Sequence, residues 1–173
     1  AAPPPAAAAP RLVSTAPNLT EIVFAVGAGD LLVGRTDACD YPPECARVPA
    51  VGGFGTPDLE PLLAARPTRV LESVLADPDV ARRLAALHIP VEHIACARLD
   101  DVPAAILRVG ELAGREARAR RLAAEIAAGL AAARAGRKPG ASAPRILLLV
   151  SADPPITAGR RASRAARKSR RRA

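Results

Sequence analysis

Phe54 stands among three glycines, in the run Gly52-Gly53-Phe54-Gly55, and two carboxylates, Asp58 and Glu60, follow it. A ring in such company gains little from its own fold, so contact with a ligand or partner outweighs the plainer reading of a ring turned into the core. Gly53, beside it, marks a backbone that approaches something closely. Glu60 near a helix start stays ionised and can accept a bidentate arginine; its plainer role, favouring the helix end, is already filled by Asp58. His88 and His93 flank Pro90 with no third metal ligand nearby, and read as ordinary satisfied histidines. Cys39, Cys45 and Cys96 form an odd set without a C-x-x-C motif. An oxidising compartment would allow a Cys39–Cys45 bridge, although small buried thiols are commoner. Gly27-Ala28-Gly29 follows a helical pattern and precedes a strand, the reverse of the order a phosphate loop needs. No Ser-His-Asp, Cys-His or paired-carboxylate set stands at useful spacing, so an enzyme reading has no residues to act through.

The elements that must carry these residues alternate between strands and helices. Arg11–Thr15 reads as a first strand closed by Ala16-Pro17, and Asn18 as the cap of a helix with Leu19, Ile22, Val23 and Val26 on one face. Gly27 and Gly29 lie past its end, where a left-handed residue is wanted. Leu31–Thr36 is a second strand, Tyr41-Pro42-Pro43 opens a short turn or helix, and Val48–Val51 returns towards the sheet. Thr56 reads as an N-cap with Pro57 as the first helical residue, and Arg66-Pro67 ends that helix. Strands over Thr68–Leu71 and Ile89–Ala95 alternate with helices opened by Asp77-Pro78 and Asp100-Asp101. The pattern implies a parallel sheet covered on both faces by right-handed crossovers. Pro17, Asn18 and Tyr41 then fall at strand ends facing one cleft, with Phe54 and Gly53, although a packed corner residue is an equal reading of Tyr41. From Arg115 to about Arg134 one long helix carries a narrow stripe of Leu122, Ile126 and Leu130, a pattern for a rod lying across two lobes. Arg145–Val150 is a further strand.

Three segments carry a resemblance: the first strand with its Pro-Asn-Leu-Thr-Glu helix start, the Asp-Tyr-Pro-Pro run at Asp40–Pro43, and Asp58-Leu59-Glu60 followed by Arg66-Pro67-Thr68-Arg69-Val70. Together they resemble the substrate-binding proteins of ABC importers of the cobalamin and iron-siderophore type, over roughly residues 11–159. Thr68-Arg69 departs from that family's usual acidic-apolar pair. The resemblance implies an α/β fold: a Rossmann-like lobe with a parallel sheet, then a long connecting helix, then the first strand of a second, mostly missing lobe. It also implies an exported, extracytoplasmic protein that is not an enzyme and has no cofactor of its own. Such a protein would deliver cobalamin, haem or an iron-siderophore chelate to a membrane permease. Phe54 matches the family's loop aromatic and Glu60 the carboxylate that meets an arginine pocket on the permease. Ala38 and Ser73 stand where cobalamin binders place aromatics, a departure that bears on cobalamin and not on the fold.

Half of the 173 residues are apolar and 2% are aromatic, so the core must be built from Leu, Val, Ile and Ala. No apolar run approaches a membrane span. The net charge of +8 belongs to the tail: eight basic residues lie between Arg160 and Arg172 without an acid, leaving 17 basic residues against 17 acidic in the body. A nucleic-acid footprint on a folded face is therefore not indicated. The expected organisation is a low-complexity spacer over 1–10, an N-terminal ligand-binding lobe over 11–114, a connecting helix over 115–136, the start of a second lobe over 137–159 and a basic disordered tail over 160–173. The spacer suits the remnant of a removed export signal, or a lipidated anchor point, or simply a trimmed start. A chain of this extent would supply half of a two-lobed cleft and bind ligand weakly or not at all. Two rival readings are a basic-tailed domain for nucleic acid or an anionic surface, and a single-domain flavodoxin-like protein with Arg145–Val150 as its last strand.

Overall fold

The computed structural model describes residues 9–73 and 78–136, and the backbone of Leu148–Leu149 and Ala158–Gly159. The chain divides near Arg134 into two compact units, Ala1–Ala133 and Arg134–Ala173.

In the first unit, β1 (Leu12–Ser14) leads into α1 (Pro17–Ala25), and a 3-10 turn at Gly29–Leu31 precedes β2 (Leu32–Gly34). A second 3-10 turn, Pro43–Arg47, follows the cis peptide Tyr41–Pro42. A small hairpin, β3 (Gly52–Gly53) with β4 (Thr56–Pro57), comes before α2 (Leu59–Ala64). Then follow β5 (Arg69–Glu72), α3 (Pro78–Ala86), β6 (Val91–His93), α4 (Val102–Leu112) and α5 (Glu116–Ala135). Four strands form one parallel sheet in the order β2-β1-β5-β6, extended at one side by a parallel bridge between Arg35 and Ala50.

The strand pleat sorts the core into two layers. Leu12 and Leu71 turn to one face, where α1, α4 and the start of α5 supply Leu19, Ile22, Val23, Val26, Ile106 and Val109. Val13 and Val70 turn to the other, where α2 and α3 supply Leu62 and Leu84. Each such side chain contributes about 1.5–3 kcal/mol by leaving water. Both faces of the sheet are covered, as the alternation of elements implies.

Helix α5 is fastened to this layer by backbone chemistry. Arg115 Nε donates to Gly27 O (3.0 Å) and Arg118 Nε to Ala25 O (2.8 Å), satisfying carbonyls at the end of α1. Its closest approach to α4 is at Gly110, where an added Cβ would lie 2.2 Å from Ala119 Cβ. The fully buried residues of α5 are accordingly Ala119 and Ala123, while Leu122 and Ile126 of the expected stripe are only partly buried. From Ala127 to Gly136 only Leu130 is even half-buried.

Two expected caps are corrected. Thr56 and Pro57 are not cap and first helical residue; they form β4, and α2 starts after Asp58, which makes no side-chain cap bond. Thr56 pairs with Gly53 instead because the tight glycine turn before it closes a hairpin. Asn18 is not the cap of α1, which begins at Pro17 after Ala16, since proline's fixed φ already sets the first turn. The second strand is shorter than Leu31–Thr36 because its first residue closes the 3-10 turn.

In the second unit Leu148–Leu149 pairs antiparallel with Ala158–Gly159, a two-stranded sheet separate from the parallel one. The flavodoxin-like reading needed this strand as the last member of the parallel sheet. The rest of the expected strand Arg145–Val150, and the basic tail over 160–173, lie outside the described residues.

Candidate functional site

Parallel α/β sheets expose their loops at the carboxyl ends of the strands, and ligands bind there. In this chain that edge is formed by residues following β1, β2, β5 and β6. Buried hydroxyl groups hold it together. Thr15 sends both its backbone N–H (3.0 Å) and its Oγ1 (3.2 Å) to Leu71 O, locking the end of β1 to β5. Ser14 Oγ donates to Ala16 O (2.9 Å), shaping the turn into α1. Ser73, at the end of β5, is buried.

Four hydrogen bonds bring the loops to this edge. Gly55 N reaches Thr15 O at 3.5 Å, placing the hairpin tip beside the end of β1. Asp37 N donates to Gly52 O (3.0 Å), tying the exit from β2 to the same hairpin. The Cys39 Sγ lies 3.2 Å from Thr20 Oγ1 and 3.3 Å from Thr36 Oγ1, joining the Tyr41 loop to the first turns of α1. Cys39 and Cys45 are free and buried, with Cys45 Sγ against Cys39 O at 3.4 Å. Burial pushes the Cys45 thiol up, against the opposing pull of Arg35.

On this frame Phe54 is 42% exposed and Tyr41 62% exposed. Pro17, Asn18 and Gly53 are half-buried on the adjoining turns. Phe54 owes its display to the hairpin: Gly55 takes φ +70° as the second turn residue, and Gly52 takes φ +110°. A Cβ at Gly52 would also meet Asp58 N at 2.5 Å, so no other residue fits. Glu60 is exposed in the first turn of α2, on the far side of the hairpin in sequence from Phe54. Ala38 is exposed on the edge and presents no ring.

His88 sits exposed past the end of α3 with φ +57°, and His93 ends β6, so the two histidines belong to different elements. No group of three or more metal-binding side chains occurs among the described residues. Reading the sequence alone missed the pairing of His93 Nδ1 with Glu72 Oε1 at 3.3 Å. The pair arises only from tertiary register, because parallel pairing of Arg69–Glu72 with Val91–His93 puts those two side chains opposite one another. On the other face of β6, Glu92 is held by Arg108 (2.6 Å) and Arg69 (3.3 Å). The Arg108 hydrogen bond, opposed by desolvation and aided by both positive charges, holds the Glu92 carboxyl below the usual range.

The described residues thus form an α/β unit, a covered parallel sheet with an exposed ring on its carboxyl edge. The chain belongs to the periplasmic binding protein family, whose model matches residues 12–164. It is 30% identical over 116 residues to the vitamin B12-binding protein of Pectobacterium carotovorum, covering 66% of this chain and 42% of that one. Among solved structures, the periplasmic heme-binding protein RhuT from Roseiflexus sp. RS-1 superposes with a TM-score of 0.72 at 32% identity. That match covers 84% of this chain and 57% of the other. The vitamin B12-binding protein BtuF of Vibrio cholerae superposes at 0.69 with 25% identity, covering 73% and 50%. The chain thus spans about half the length of the relatives it matches. No described helix is long and apolar enough to cross a membrane.

Proposed function

We propose that residues 11–114 form the N-terminal ligand-binding lobe of an extracytoplasmic binding protein, with 115–136 as its connecting helix and 137–159 as the start of a second lobe. The protein captures a metal chelate of the haem, iron-siderophore or cobalamin class and hands it to an ABC permease. The observation that carries this reading is Phe54, held half-exposed on a glycine hairpin at the carboxyl edge of the sheet. An apolar ring exposed there stabilises a bound flat ligand more than it stabilises its own fold. The names of the relatives, binders of vitamin B12 and of haem, support the ligand class. Ala38 and Ser73 offer no rings to grip a corrin, which favours haem or another iron chelate over cobalamin.

Pro17, Asn18, Tyr41 and Gly53 line the same edge and complete the contact surface on this lobe. Glu60, exposed on α2, is the docking carboxylate for a permease arginine. The ligand undergoes no covalent chemistry; binding and release follow small movements about a stiff helix. A removed or lipidated N-terminus would hold the protein at the cell envelope.

The test is absorption titration of the chain with hemin and, separately, cyanocobalamin. One lobe covers one side of a ligand, so saturable binding weaker than about 1 µM is expected, tighter for hemin. Absence of saturable binding to both chelates would refute the reading.

A further inference from the structure

We infer that His93, oriented by Glu72, supplies a coordinating nitrogen to the metal of the bound chelate; this rests on the function proposed above and narrows it to chelates with a replaceable axial ligand. The two residues face each other across the carboxyl ends of β5 and β6, with His93 Nδ1 3.3 Å from Glu72 Oε1. The Glu72 side chain is 15% exposed and that of His93 54% exposed. A largely buried carboxylate therefore holds one nitrogen of a ring whose other face is open to solvent.

When Nδ1–H donates to the carboxylate, the lone pair is confined to Nε2, which is the arrangement that metal-bound histidines use. A free metal ion would need further side chains, and none cluster among the described residues. A metal already held by a macrocycle needs only an axial donor. The step is a simple exchange: the Nε2 lone pair forms the metal–nitrogen bond as an axial water leaves, with no change of oxidation state.

Placement agrees with this role. The hairpin that displays Phe54 is anchored on Thr15 at the end of β1, and β6 lies two strands away in the order β1-β5-β6. Two strand spacings make about 10 Å. A tetrapyrrole bridges such a gap, with its face on Phe54 and its metal within reach of the outer strand. Between them β5 ends in Ser73, whose side chain is small and buried. A hydrogen bond whose histidine is as exposed as this one contributes little to the fold itself.

The chain has two histidines, so any imidazole signature has only two sources. The experiment titrates the full chain with hemin and records the absorption and low-temperature electron paramagnetic resonance spectra. Wild type and the His88→Ala variant should show imidazole-ligated ferric haem. His93→Ala should lose that signature and bind at least tenfold more weakly. His93→Tyr should replace it with a phenolate charge-transfer band, and Glu72→Gln should weaken binding severalfold while keeping the ligand type. Identical spectra for wild type and His93→Ala, or loss of the signature in His88→Ala, would overturn the inference. Hemin bound without any imidazole signature, or binding of cyanocobalamin alone, sinks the role of His93 yet leaves the chelate-binding function standing. Binding of neither chelate sinks both.

Discussion

Gly52 combines a left-handed φ of +110° with backbone atoms 2.5 Å from where a Cβ would stand, so its role is steric before it is functional. Gly52→Ala should lower stability by about 2 kcal/mol or more, whereas Gly53→Ala, whose nearest neighbour is the Thr56 Oγ1 side-chain atom at 3.0 Å, should cost less than about 1 kcal/mol. Chemical denaturation of the two variants checks this, and equal losses would contradict it. Glu60 poses the opposite case, an exposed carboxylate whose removal the fold should not notice. Glu60→Ala should leave the unfolding midpoint unchanged while weakening permease affinity by about 1.5–3 kcal/mol, the range for a charge-assisted contact. Unchanged affinity in a pull-down or surface-binding assay would reject the docking role. Both positions drew notice in the sequence, one as a glycine beside an aromatic, the other as a carboxylate near a helix start. The Glu72–His93 pair did not, because it exists only once two strands far apart in the chain lie side by side.

Helix α5 shows where an element-level pattern misleads. The stripe of Leu122, Ile126 and Leu130 marks its apolar side, yet Ala119 packs against Gly110 and the buried residues of α5 are Ala119 and Ala123. Hydrophobicity alone does not reveal this, since close approach of two helices needs small side chains. Gly110→Ala gains about 1 kcal/mol of helix propensity but forces a contact at 2.2 Å, so it should destabilise by about 1–2 kcal/mol net. Gly129→Ala, on α5 with nothing within 4 Å, should instead stabilise by about 0.5–1 kcal/mol. Melting curves giving both variants the same sign would show that α4 and α5 do not meet this closely. On β6, Glu92 is a charge latch between strand and helix. Its carboxyl is depressed below the usual range by Arg108 first, so the stability it adds is complete above the ordinary carboxylate pKa and is lost as pH falls through the depressed value. Glu92→Gln should therefore melt below wild type at pH 7, with the difference closing in strong acid. A constant difference across that range would rule the latch out.

At the scale of the molecule, the order of strands and helices was legible because each element carries its own period and punctuation. Pro17, Gly27 and Arg66-Pro67 bound the helices they bracket, and the alternation of Leu12 with Val13 and of Val70 with Leu71 already encodes a sheet covered on both sides. Less legible was the start of α2, where Thr56-Pro57 has the composition of a cap and the structure of a strand. The candidate edge was legible in part: aromatics beside glycines mark displayed loops, but the bonds that bring the loops of Phe54 and Tyr41 to the start of α1 join residues up to 40 positions apart. Local pattern carries no information about such closures.

The account rests on the carboxyl edge being the face that meets the ligand. Gallium protoporphyrin IX, a diamagnetic haem analogue, should shift the backbone amide resonances of Asn18, Tyr41, Gly53, Phe54 and Gly55 through its ring current, saturably in wild type and at least tenfold more weakly in Phe54→Ala. Shifts confined to α4 and α5, or a Phe54→Ala variant that binds as well as wild type, would contradict it.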